Sequence, residues 1–133
     1  MLSAVADTHA VIWYLSNDPR LSAAARGVFE HAAQQGHQVA ISSITLVEMV
    51  YLVEKDRIPA GHFTRLAAEL SDPDSLLVEI PVSLTVARAL SRVDVAQIPD
   101  MPDRIVAATA LHLNVPVISR DAKIQAASLH TIW

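Results

Sequence analysis

The sequence of 133 residues contains no cysteine, which excludes both a disulfide framework and a thiolate metal site. No apolar run reaches the roughly 18 residues that a membrane helix requires, and no charged region followed by a long apolar stretch predicts a signal peptide. Glycine is also scarce, with three residues, while 52% of the chain is hydrophobic. We therefore expect a folded, cytoplasmic protein with a substantial core and no membrane partner.

Basic residues are also fewer than acidic ones. Ten Lys and Arg stand against fourteen Asp and Glu, which gives a formal net charge of -4. A general nucleic-acid-binding protein is usually basic, so the totals argue against that class. The objection weakens if some of the acids neutralise bound cations.

Short apolar runs alternate with helical patterns along the whole chain. This alternation predicts an α/β fold, a three-layer α/β/α sandwich with helices on both faces of a central parallel sheet. No repeat or linker divides the chain, so we expect a single domain over residues 1–133. The predicted strands span residues 2–6, 39–42, 77–81, 115–119 and 130–132. The predicted helices span residues 9–15, 22–35, 43–55, 63–70, 84–93 and 102–113, with a short one after residue 121.

Three aspartates are expected at one rim of this sheet. Asp7 directly follows the first strand and Asp121 follows the fourth after one residue, and ligands of open α/β sheets bind at the carboxyl ends of the strands. Asp103 lies at a helix start, which right-handed connections bring to the same rim. Each also has a purely structural interpretation, as a helix cap or as a charge at a helix N-terminus. Asp100, in a proline-flanked loop, is a weaker candidate.

Glu48 is the fourth candidate because its helix is otherwise almost entirely apolar between Ile44 and Val53. Such a helix is expected to be mostly buried. A buried carboxylate without a partner is costly, so Glu48 requires either a cation or a core salt bridge to an arginine. Four clustered carboxylates repel one another, and Mg²⁺ or Mn²⁺ would make the cluster tenable. A cation held there orients phosphate and lowers the pKa of a bound water.

The ordered set of acids resembles that of PIN-domain ribonucleases and, more narrowly, VapC-type toxins of type II toxin–antitoxin systems. The resemblance covers almost the whole chain. The segments that carry it are Asp7-Thr8-His9, Glu48, Asp103-Arg104-Ile105-Val106-Ala107-Ala108-Thr109-Ala110 and Ser119-Arg120-Asp121.

The resemblance implies a PIN-like fold and a Mg²⁺- or Mn²⁺-dependent endoribonuclease that cleaves RNA with a metal-activated water. It implies an acidic site of four residues, supported by the hydroxyls of Thr8 and Ser119, as well as a protein antitoxin that blocks the site and a homodimer. The acidic site comprises Asp7, Glu48, Asp103 and Asp121. The aspartates are expected to hold the principal metal, and Glu48 a second metal or a metal-bound water.

Several residues beside these acids have two open interpretations. Arg104 and Arg120 each adjoin a site acid and could hold phosphate or balance local charge. Trp13 lies one turn after His9, and with Tyr14 it could stack on a base or pack the core or an interface. His9 is expected to contribute no required ligand.

Three other classes of function compete with this interpretation. A phosphatase of the haloacid dehalogenase type would use Asp7 as its nucleophile, but it requires a second Asp two residues later, where this chain has His9. A receiver domain requires an adjacent acidic pair and a well-placed lysine, and Lys123 is poorly placed. A catalytically inactive protein-binding module, whose acids are structural, is the non-enzymatic alternative.

Overall fold

The computed structural model describes residues 1–127 and 129–133. A central sheet of parallel strands forms the middle layer of the fold. The strand order is β3-β2-β1-β4-β5, and every neighbouring pair is parallel. The strands are β1 (Leu2–Ala6), β2 (Gln38–Ser42), β3 (Leu77–Ile80), β4 (Val117–Ile118) and β5 (Thr131–Ile132). All five predicted strands are therefore present.

Helices connect the strands and cover both faces of the sheet. They are α1 (Thr8–Leu15), α2 (Ala23–Gln35), α3 (Ser43–Glu54), α4 (Ala60–Ser71), α5 (Leu84–Leu90), α6 (Met101–Leu113) and α7 (Ala122–Ala126). Within residues 1–127 and 129–133, no helix has the length and apolar character needed to cross a membrane.

Alternation along the strands divides the core into two clusters. Ala4 and Ala6 of β1 pack with residues of α1, α2 and α4. Val5, which points the other way, packs with residues of α5 and α6. Ala4, Val5 and Ala6 are fully buried, so both faces of the sheet are covered at β1, as expected of a parallel sheet between two helical layers. The predicted three-layer α/β/α fold is confirmed.

Local signals explain where several helices begin and end. The Ser22 hydroxyl accepts a hydrogen bond from the amide of Ala25 at the start of α2. Gly36 ends the same helix with φ of 70°, a left-handed conformation that glycine adopts without steric cost. Both features agree with the sequence pattern.

Three local predictions were wrong. Helix α4 begins at Ala60 instead of Phe63, because Pro59 stands at its N-cap, where proline interrupts no helical hydrogen bond. Helix α5 ends at Leu90 instead of Val93, and β4 is confined to Val117 and Ile118. The shorter α5 matters below, because its end meets α6.

Helix α3 is also less buried than its composition predicts. Its buried residues are Thr45 and Met49. Val47, Val50 and Tyr51 are 62%, 44% and 54% exposed. An apolar composition therefore does not imply burial here, since the residues that the structure describes leave one face of the helix uncovered. We refer to Val47, Val50 and Tyr51 as the exposed face of α3.

Candidate active site

An open cavity of about 410 Å³ lies at the carboxyl ends of β1 and β4. All four predicted acids line it, although they come from four different parts of the chain. Asp100, the weaker candidate, lines it too. The acidic residues of the cavity are Asp7, Glu48, Asp100, Asp103 and Asp121.

Asp7 is buried where β1 turns into α1. Its Oδ1 accepts a hydrogen bond of 2.9 Å from the amide of Ala10, so it does cap α1. Burial raises the pKa of Asp7, while a hydrogen bond with the Ser119 hydroxyl and the Ala10 amide oppose the rise. Asp7 therefore caps α1 and lines the cavity at the same time.

Glu48 is held by a short chain of hydroxyl groups. Thr8 Oγ1 donates to Glu48 Oε1 at 2.5 Å and lies 3.1 Å from the hydroxyl of Thr45, so Thr45 can donate to Thr8 in turn. Burial raises the pKa of Glu48, the Thr8 hydrogen bond lowers it, and nearby Asp100 raises it further. In the described part of the chain, no arginine forms a salt bridge with Glu48, so the alternative of a core ion pair does not hold.

Asp121 and Asp100 each use one carboxylate oxygen as a helix cap. Oδ1 of Asp121 accepts from the amides of Lys123 and Ile124 at the start of α7. Oδ1 of Asp100 accepts from the amide of Asp103 at the start of α6. Ser119 is fully buried, and its hydroxyl accepts from the amide of Asp121. Ser119 thereby contacts two of the acids, consistent with the supporting position that the resemblance implies.

Asp103 is strongly affected by the other acids of the cavity. Burial, together with the negative charges of Asp100, Asp121, Glu48 and Asp7, raises the pKa of Asp103 to about 7. No residue of the described chain donates a hydrogen bond to its carboxylate that could offset this rise. Like charges at short range disfavour ionisation, so the five carboxylates act on one another as a cluster.

This cluster predicts a pH-dependent stability for the metal-free protein. An aspartate whose pKa is higher in the folded than in the unfolded state makes the folded state bind more protons. The stability of the wild type should therefore fall as the pH rises from about 4 to about 7. Asp103→Asn removes the contribution of Asp103 to this pH dependence, while those of Asp7 and Glu48 remain. In chelator at pH 8 we expect the variant to melt about 3 °C or more above the wild type.

Thermal melts at pH 5 and pH 8 test this prediction, with Asp94→Asn as the matched control. Asp94 is exposed and accepts from the Ala96 amide, so its replacement should leave the difference between the two pH values unchanged. If Asp103 only stabilised the N-terminus of α6, the asparagine variant would lose about 0.3–1 kcal/mol and melt lower at pH 8.

The donor chemistry of the cavity fits a hard divalent cation. Carboxylate oxygens are the ligands that Mg²⁺ and Mn²⁺ prefer, and a cation would relieve the repulsion that raises the pKa of Asp103. In the residues described, no three acidic or histidine side chains already converge on one metal position. Mg²⁺ typically keeps several waters and uses one or two carboxylates together with substrate phosphate, so a cage of protein ligands is not required.

The structure brings only one of the two predicted arginines to the cavity. Arg120 lines the cavity, as does Arg20, which the sequence analysis missed. Arg104 does not line it. Its Nη2 donates to the carbonyls of Leu90 and Val93, each at 3.1 Å, and so joins α6 to the end of α5. Because α5 ends early, these carbonyls are available to a side chain, which the spacing in sequence did not reveal.

Comparisons with known proteins show the family and the fold. The family model of the PIN domain matches residues 4–128. The chain is 25% identical over 129 residues to Ribonuclease VapC22 of Mycobacterium tuberculosis, covering 94% of this chain and 92% of that protein.

Solved structures share the fold. VapBC2 from Rickettsia felis bound to a promoter DNA fragment superposes with a TM-score of 0.72 at 20% identity, covering 98% of this chain and 97% of that one. A toxin–antitoxin complex from Klebsiella pneumoniae gives 0.66 at 24% identity, with the same coverage. DNA-bound VapBC from Salmonella typhimurium gives 0.72 at 20% identity, again with the same coverage.

Proposed function

Because the chain belongs to the PIN domain family, we propose that it is a single nuclease domain that cleaves single-stranded regions of RNA with Mg²⁺ or Mn²⁺. One observation carries this proposal. The four acids chosen from the sequence line one cavity, together with Asp100. Their mutual repulsion raises the pKa of Asp103, as expected of a site that is completed by positive charge.

The proposed roles follow from what each side chain already contacts. Asp7, Asp103 and Asp121 are the residues that would hold the principal cation. Asp7 is fixed by the Ala10 amide, and Asp121 by two amides of α7. Both side chains are therefore oriented before any ligand binds. The bound cation would orient a phosphate and lower the pKa of a water.

Glu48 would orient the attacking water. The Thr8 hydroxyl occupies its Oε1, which leaves Oε2 as the atom that can accept a proton from that water. The raised pKa of Glu48 suits this role, because a general base works best when its pKa lies near the working pH.

The proposed biological role is that of a toxin restrained by an antitoxin in the cytoplasm. The similar structure from Klebsiella pneumoniae is named a toxin–antitoxin complex, and those from Rickettsia felis and Salmonella typhimurium are named VapBC. VapC22 is named a ribonuclease. The exposed face of α3 supports contact with another protein chain, since large apolar side chains that no part of this chain covers often mark an interface. We assign this face to a homodimer.

Expression in a bacterial host tests this role. We expect the wild type alone to stop colony formation and to fragment cellular RNA, because a free nuclease acts on the RNA of its host. Cells that express Asp7→Asn should form colonies, because the variant lacks a charge of the site. Asparagine can retain the cap of α1, so the variant should still fold. Co-expression with the small protein encoded beside the gene should restore growth.

Equal growth with and without that neighbour, at matched levels of soluble wild-type protein, would contradict the toxin assignment and leave the nuclease assignment standing. Arrest by both the wild type and Asp7→Asn would instead indicate that the protein acts by binding, as expected of a module whose acids are structural.

A further inference from the structure

Two arginines of the acidic cavity lie over the same aromatic ring. The guanidinium carbon of Arg120 is 4.6 Å from the centroid of the Trp13 ring, and that of Arg20 is 4.8 Å from it. Trp13 is 4% exposed and also contacts the rings of His9 and Trp133. A guanidinium over the face of an indole is attracted by the ring quadrupole, so Trp13 fixes the position of both cations.

The donors of Arg120 remain available despite its acidic surroundings. Five carboxylates line the same cavity, yet in the described part of the chain none forms a salt bridge with Arg120 and no acceptor takes a hydrogen bond from it. An arginine that only balanced local charge would be expected to pair with one of these acids. Arg120 lies on Trp13 instead, where its planar edge can still bind an incoming anion.

Arg20 is oriented from a second side. Its Nε and Nη2 donate to the carboxylate of Asp18 at 3.0 and 2.8 Å, which leaves Nη1 as the nitrogen without a bond to this partner. Arg20, Trp13 and His9 also line an adjoining cavity of about 290 Å³. Arg20 therefore stands between the acidic cavity and a second space that a nucleotide chain could follow.

We propose that Arg20 and Arg120 bind the phosphates of the RNA strand that flank the cleaved bond, and that Trp13 is the positioning residue for both. The inference rests on the proposed nuclease function and deepens it. A polyanion that enters a cavity with five carboxylates meets repulsion, and two oriented guanidinium groups at its edge offset that repulsion for the neighbouring phosphates.

Binding of a fluorescent single-stranded RNA oligonucleotide, measured by anisotropy in chelator at several salt concentrations, tests the phosphate contacts. Each contact that is lost should reduce the slope of log K against log salt by about 0.7. We expect this reduction for Arg20→Gln and for Arg120→Gln. Arg88→Gln is the matched control, because it removes the same charge from an exposed residue of α5 that lines neither cavity.

Cleavage with Mn²⁺ supplies the second measurement. Arg20→Gln and Arg120→Gln should each raise KM by about tenfold and leave kcat nearly unchanged, because they remove binding and not chemistry. Trp13→Leu should raise KM similarly, whereas Trp13→Phe, which keeps an aromatic face, should retain most of the affinity. Should Trp13→Leu fail to fold, Trp13→Phe and the arginine variants still decide the outcome.

The possible results separate the two proposals. If the wild type cleaves RNA but the salt slopes and KM values of Arg120→Gln match those of Arg88→Gln, the phosphate contacts are wrong and the nuclease stands. If the slopes change as expected but no metal supports cleavage, the nuclease is wrong and the contacts stand. If the wild type neither binds RNA in the anisotropy measurement nor cleaves it with Mn²⁺, both proposals are wrong.

Discussion

Glu48→Gln is expected to lower the rate of RNA cleavage by about a hundredfold or more, with little change in the fold. Glutamine can still accept the hydrogen bond of Thr8 through its amide oxygen, so the hydroxyl chain that holds residue 48 survives. What disappears is the carboxylate that we assign to the attacking water. Initial rates on one RNA oligonucleotide, compared at saturating Mn²⁺, measure the effect.

The same reasoning applies to the three aspartates. Asp7→Asn, Asp103→Asn and Asp121→Asn should each abolish cleavage, because each removes a charge from the cavity while retaining the shape of the side chain. Asp94→Asn and Asp74→Asn serve as controls, since both positions are exposed and outside the cavity. A Glu48→Gln protein that cleaves at the wild-type rate would show that the four-acid site is wrong.

The placement of the acids could be predicted because it follows from chain order. A buried strand that ends in an acid places that acid at the carboxyl edge of a parallel sheet, and this placement does not depend on contacts with distant residues. This is why Asp7 and Asp121 were placed by pattern alone. Both also cap the helices that follow, so the structural and the functional interpretations of these residues were never exclusive.

The positions of Arg20 and Arg104 could not be predicted, because they depend on contacts that no periodicity encodes. Arg20 reaches Trp13 by way of a loop in which Asn17 has a φ of 52°, and nothing in the spacing of the two residues indicates this approach. Arg104 turns away from the cavity because α5 ends at Leu90 and exposes its carbonyl. The position of Arg104 next to Asp103 in the sequence therefore did not predict where its long side chain lies.

The prediction that α3 is mostly buried was wrong for a different reason. Its composition is that of a core helix, but composition cannot distinguish a face that packs within the chain from one that packs against another chain. Thr45 and Met49 are covered by this chain, whereas Val47 and Tyr51 are not.

Removal of divalent metal should abolish cleavage altogether. A cavity lined by five carboxylates repels the phosphate at the cleaved bond, and the two arginines at its edge offset that repulsion only for the neighbouring phosphates. Without a cation, the cavity has no positive charge to lower the pKa of the water that Glu48 orients, and none to stabilise the charge that develops on the phosphate. The expected change on chelation is therefore a complete loss of activity and not a partial one.

The most direct measurement is incubation of the purified protein with a mixture of structured RNAs in chelator, in Mg²⁺ and in Mn²⁺. Asp7→Asn, purified in parallel, controls for contaminating nucleases. We predict cuts within single-stranded regions with Mn²⁺ or Mg²⁺, no cuts in chelator, and none by Asp7→Asn under any condition. Equal cleavage in chelator, or cleavage by Asp7→Asn at the wild-type rate, would contradict the claim that these acids hold the metal that cleaves RNA.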